Sequence, residues 1–119
     1  MKKILIVEDN ENNLYLIKFM LERNNYSTII AKTGEEGIKK AIEENPDLIL
    51  MDVQLPDING IEATKRIRSF GKVTSKIVAV TSYAMTGDKE KVLKAGCDGY
   101  IEKPINPETF INELKHYLS

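Results

Sequence analysis

Leu48-Ile49-Leu50-Met51-Asp52-Val53-Gln54-Leu55-Pro56-Asp57-Ile58-Asn59-Gly60 decides how the rest of the chain is read. The stretch opens on four apolar residues with no polar alternation, which suits a strand covered on both faces, the condition of a parallel sheet between helices. The run meets an acid, Asp52, and then turn formers that hold the carboxylate at the rim of the sheet. Asn59-Gly60-Ile61-Glu62 reads as the start of a helix, with the Asn side chain serving an amide three residues on.

The same grammar repeats in both directions. Residues 4–7 and 77–80 are continuous apolar runs, and 27–31 and 100–101 are weaker strand candidates. Between them, Leu14, Ile17 and Leu21 form one helical face, widened by Phe19 and Met20. Thr33-Gly34-Glu35-Glu36 reads as a capping box opening a second helix, which Asn45-Pro46 closes. Thr86-Gly87-Asp88 is expected to start a fourth helix and Ala95-Gly96 to end it. In the fifth, Asn106 is the cap, Pro107 lies in the first turn, and Phe110, Ile111, Leu114, Tyr117 and Leu118 make the apolar stripe. Five strands alternating with five helices predict an α/β fold with a doubly wound, five-stranded parallel sheet.

Composition narrows the function. A chain of 119 residues fits one domain, taken as 1–119. With 17 Lys plus Arg against 18 Asp plus Glu, it lacks the positive excess that grips a phosphate backbone or an anionic membrane, so neither is expected as a partner. Cys97 is the one cysteine, which excludes an intrachain disulfide and a cysteine metal cluster and suits a reducing cytoplasm. The start, Met1 to Glu8, has only four apolar residues before its acids, short of the roughly 7 to 15 of a signal peptide.

Ligands of an open parallel sheet bind beyond the carboxyl ends of its strands. The residues expected there are Glu8-Asp9, Asp52, Thr81-Ser82 and Glu102-Lys103-Pro104. With right-handed crossovers and strand order 2-1-3-4-5, an order taken from the known doubly wound class, the first and third strands are neighbours and three carboxylates share one pocket. Like charges about 4 Å apart repel by roughly 4 kcal/mol at an effective dielectric of 20, so the cluster calls for a cation or a shared proton. Oxygen donors without His or Cys favour Mg2+ over zinc or copper.

Glu8-Asp9-Asn10, the stretch from Met51 to Gly60, Thr81-Ser82-Tyr83-Ala84 and Tyr100-Ile101-Glu102-Lys103-Pro104, in that order along the whole chain, resemble the response-regulator receiver domains of two-component signalling. The resemblance implies a flavodoxin-like fold with Asp52 as phosphoacceptor. It further implies Glu8 and Asp9 as the acidic pair, the Gln54 carbonyl completing a Mg2+ site, Lys103 facing the phosphate through a cis bond to Pro104, and Thr81 and Tyr100 as switch residues. Implied partners are a sensor histidine kinase or histidine phosphotransfer protein and a downstream protein reached through the face of the fourth helix, fifth strand and fifth helix. The chain would be a monomer or a phosphorylation-dependent weak dimer, and would catalyse only its own phosphorylation and dephosphorylation. Gln54 and Tyr83 are the positions expected to govern water access and so the phosphoryl lifetime. Ending at Ser119, the chain is expected to be a single-domain receiver with no output domain.

Other readings fit less well. An aspartate-nucleophile phosphatase resembles Asp-x-Asp, and position 54 is Gln; a flavin binder needs a neutral phosphate loop where Glu8-Asp9-Asn10-Glu11 stands. A pure interaction module has no need of the full set of acids, Thr81 and Lys103. His116 reads as a surface residue.

Overall fold

The computed structural model describes residues 2–82 and 88–118. Among them run β1 (Lys3–Val7), α1 (Glu11–Arg23), β2 (Ser27–Ala31), α2 (Gly34–Glu44), β3 (Leu48–Asp52), α3 (Gly60–Phe70), β4 (Lys76–Thr81), α4 (Asp88–Ala95), β5 (Gly99–Glu102) and α5 (Phe110–Leu118). The strands pair in parallel in the order β2-β1-β3-β4-β5. None of the described helices is long and apolar enough to cross a membrane.

The unbroken apolar runs divide between two faces at a period of two. Ile4, Ile6, Leu48, Leu50, Val78, Val80 and Ile101 pack with Leu14, Ile17 and Leu21 of α1 and Phe110, Leu114 and Leu118 of α5. Leu5, Val7, Ile49, Met51, Ile77 and Ala79 pack with Ala41 of α2, Ala63 and Ile67 of α3, and Val92 of α4. Burying each such Leu or Ile stabilises the fold by about 1.5–3 kcal/mol, so the two faces together hold the central strands. Cys97 belongs to the second cluster, with Sγ 3.7 Å from the Thr64 hydroxyl, and burial pushes its thiol pKa up.

Expected boundaries move in instructive ways. Asp52, Thr81 and Glu102 are the last residues of their strands rather than the first beyond them, because pairing runs one rung further, with Asp52 opposite Val80 and Thr81 opposite Glu102. Only half of the capping box at Thr33 forms as read: its side chain accepts from Glu36 N at 3.1 Å, while the Glu36 carboxylate faces Lys40 at 3.7 Å. Asn45 ends α2 in the left-handed region, and its side chain accepts from Thr74 N. Asn106 accepts from Glu108 N through its side chain and from Phe110 N through its carbonyl, but 107–109 remain turn, so α5 begins at Phe110. Gly96, at φ +115, follows α4, while Thr86 and Gly87 lie outside the described residues.

Candidate functional site

At the carboxyl edge of the sheet a cleft of about 650 Å³ is lined by Glu8, Asp9, Asp52, Gln54, Ser82 and Lys103, with the first turn of α1 at its lip. β1 and β3 are neighbours, and this brings Glu8 beside Asp52. Glu8, Asp9 and Asp52 each offer an oxygen within 4.8 Å of the others'. Glu8 and Asp52 are almost fully buried, at 2% and 3% exposure, whereas Asp9 is exposed.

One ammonium answers the two buried carboxylates. Lys103 Nζ donates to Asp52 Oδ1 at 3.1 Å and lies 3.3 Å from Glu8 Oε1. The second contact has an ion-pair distance without hydrogen-bond alignment, so among the described residues Glu8 Oε1 is a buried acceptor lacking a hydrogen bond. Glu8 Oε2 accepts from Asn10 N at 3.2 Å, and Asp52 Oδ1 also accepts from Gln54 N at 3.1 Å. Burial works against the Lys103 charge, but the Asp52 and Glu8 carboxylates outweigh it and raise its pKa. Burial first, and then Asp52, push Glu8 up to about 7, against the opposing pull of the Asn10 amide and Lys103. Carboxylates spaced as these are repel by about 3 kcal/mol at an effective dielectric near 20, which a single lysine cannot cancel for three acids. An orphaned buried oxygen, a donor set of oxygens alone and an unbalanced negative charge fit a hard divalent cation of the Mg2+ type.

The remaining sequence candidates differ in how near they come to this cleft. Thr81 is fully buried at the end of β4, and its carbonyl accepts from Lys103 N at 2.8 Å, so hydroxyl and lysine belong to adjoining rungs. The Lys103–Pro104 bond is cis, as the resemblance implied. Tyr100 stands apart from the acids, half-buried on β5, with Lys89 Nζ 5.2 Å from its ring centroid. Tyr83 lies outside the described residues.

Sequence reasoning missed three features. Asn10 caps α1, its side chain accepting from Asn13 N, while its own amide holds Glu8; an Asn just before a helical stripe was the available signal. The resemblance implies a role for the Gln54 carbonyl alone, and the structure adds its backbone amide, which donates to Asp52 Oδ1. The Asp57 carboxylate accepts from Gly34 N at 2.7 Å and Glu35 N at 2.9 Å, a contact across the fold for which the local sequence holds no signal.

Comparisons with known proteins agree with this geometry. Residues 4–115 match the response regulator receiver domain model. The polar-differentiation response regulator DivK of Brucella ovis is 43% identical over 118 residues, covering 98% of this chain and 96% of its own. A CheY-like receiver domain protein from Methanospirillum hungatei superposes with TM-score 0.91 at 36% identity, over 99% of this chain and 94% of that one. The receiver domain of a Pseudomonas aeruginosa sensor histidine kinase, with a magnesium ion coordinated in its active-site cleft, has TM-score 0.88 at 33% identity, over 98% and 97% of the two chains. Sheet order, buried acids and whole-chain similarity converge: the chain belongs to the response regulator receiver domain family of two-component signalling.

Proposed function

We propose that the chain is a Mg2+-dependent phosphoryl acceptor in a cytoplasmic two-component relay, with Asp52 as the accepting group. The observation that carries this reading is the pair of buried carboxylates, Glu8 and Asp52, gathered on one lysine at the carboxyl edge of the sheet. The donor is a phosphohistidine on a sensor histidine kinase or a histidine phosphotransfer protein. An Asp52 oxygen bonds to phosphorus as the donor's P–N bond breaks, and the electron pair of that bond stays on the imidazole. Among the described residues both donors to Asp52 fall on Oδ1, which orients the carboxylate plane and leaves its other oxygen to attack. Lys103 offers a point charge to the incoming phosphoryl oxygens. Glu8, Asp9, Asp52 and the Gln54 carbonyl would hold Mg2+, which supplies charge neutralisation at those oxygens. The chemistry is confined to the chain's own phosphorylation and dephosphorylation, so the protein is a signalling domain rather than an enzyme with a turned-over substrate.

Phosphorylation turns one negative charge into roughly two and adds acceptor oxygens. Thr81 and Lys103 are the groups these oxygens recruit. Charge-assisted hydrogen bonds contribute about 1.5–3 kcal/mol each, and taking a two-state equilibrium from 1:99 to 99:1 needs about 5.5 kcal/mol, so two such bonds suffice. Movement at Thr81 is passed to Tyr100, which remodels the α4, β5 and α5 face met by a downstream protein.

The test is intact mass after incubation with acetyl phosphate and Mg2+. Wild type gains one acid- and base-labile phosphoryl group, EDTA prevents the gain, and Asp52→Asn gains none. Equal labelling of Asp52→Asn would overturn the assignment.

A further inference from the structure

Residues 53–59 connect β3 to α3, and Gly60 N donates to the Val53 carbonyl at 2.9 Å, which closes the loop at its base. The near limb carries Gln54, whose amide holds Asp52 Oδ1. The far limb carries Asp57, which reaches α2, a helix more than twenty residues earlier in the chain: Oδ1 accepts from Gly34 N at 2.7 Å and Oδ2 from Glu35 N at 2.9 Å.

Those are the first two amides of α2. The next two are served locally, Glu36 N by the Thr33 hydroxyl and Gly37 N by the Thr33 carbonyl. The helix therefore has a cap of its own, and the carboxylate arriving from the β3–α3 loop adds a restraint on the loop as well as a cap on the helix. A second contact has the same sense. A side chain at position 34 would collide with Ile58, so loop and helix meet closely only because residue 34 is glycine. Leu55 and Ile58 pack against the core cluster on this face. Two amide donors hold the Asp57 carboxyl down at about 2, so the clamp is ionised throughout the neutral range.

We infer that Asp57 is a positioning residue of the phosphoacceptor site: by clamping the β3–α3 loop to the first two amides of α2, it holds Gln54 in place against Asp52. This rests on the reading of the cleft as a Mg2+ and phosphoryl site.

The test compares full-length wild type with Asp57→Ala, Asp57→Asn and Thr33→Ala. Thr33→Ala removes a cap from the same helix and leaves Asp57 with both of its amide donors, so it reports what lost helix stability alone does. Mg2+ affinity is measured by titration calorimetry with magnesium chloride, and the Gln54 amide resonance is followed in metal-free protein. Asp57→Ala should weaken Mg2+ binding about tenfold, the lower end of what removing an outer partner of a metal site does. Asp57→Asn, which keeps one acceptor and sets a donor against the other amide, should fall between it and wild type. Thr33→Ala should stay within about twofold of wild type at whatever cost in stability. The Gln54 resonance should move in both Asp57 variants and stay in place in Thr33→Ala.

Unchanged Mg2+ affinity in the Asp57 variants, or equal weakening in Thr33→Ala, would overturn the inference. If Asp57→Ala does not fold, Asp57→Asn against Thr33→Ala decides. If wild type itself takes no Mg2+, the reading of the cleft fails, and the Gln54 resonance alone judges the clamp: movement in Thr33→Ala equal to that in Asp57→Asn, or in neither, rejects it.

Discussion

Glu8 is nine-tenths and more out of water, with one oxygen on the Asn10 amide and the other lacking a hydrogen bond among the described residues. Its pKa is raised to about 7, first by burial. A folded-state value above the ordinary one means that the associated stability is fully present below about pH 4.5 and is lost as pH rises through about 7. The shift corresponds to order 3 kcal/mol. In EDTA, the melting temperature of wild type should therefore fall between about pH 5 and 8, while Glu8→Gln, neutral throughout, should be flatter. Mg2+ should flatten the wild-type curve as the cation takes the place of the proton. Parallel curves for wild type and Glu8→Gln in EDTA would show that Glu8 does not titrate in this window.

Among the elements, α3 is the one whose placement shapes the site most directly. A Cβ on Gly60 would strike the Asp52 backbone carbonyl, so this glycine is what lets the helix start tight against β3. Gly60→Ala should lower stability by about 1–3 kcal/mol, the usual effect of forcing atoms into a packed site, read as a lower urea midpoint at unchanged slope. A midpoint within error of wild type would mean that the loop yields freely. The sequence displays this element well: Asn59-Gly60-Ile61-Glu62 announces the cap, and the cap forms, with Asn59 accepting from Glu62 N at 2.9 Å. Continuous apolar runs likewise reveal β1, β3 and β4, because burial on both faces leaves no polar positions to disguise them. Strand order is another matter, since no local pattern says that β1 lies between β2 and β3; only the known doubly wound class implies it. The Asp57 contact with α2 was hidden for a related reason: a cap from a distant loop leaves no mark in the residues flanking the helix.

Across the molecule, two apolar faces stabilise what one acidic edge destabilises. Ile49, fully buried in the second cluster, should lose about 2–5 kcal/mol on truncation to Ala. Asp52→Asn should act in the opposite direction, raising stability in EDTA and low salt by about 1 kcal/mol by removing one of the clustered charges, a trade-off common at functional sites. Chemical denaturation of both variants checks the pair, and a destabilised Asp52→Asn in EDTA would mean that the lysine contact outweighs the repulsion. Cys97 adds a practical consequence. Maleimide reagents attack thiolates, and this thiol is only 7% exposed with its pKa pushed up, so it should stay silent towards them at neutral pH. A cysteine introduced at the exposed Leu93 of α4 would then take a fluorescent dye selectively, so that signalling could be followed optically in the otherwise native chain.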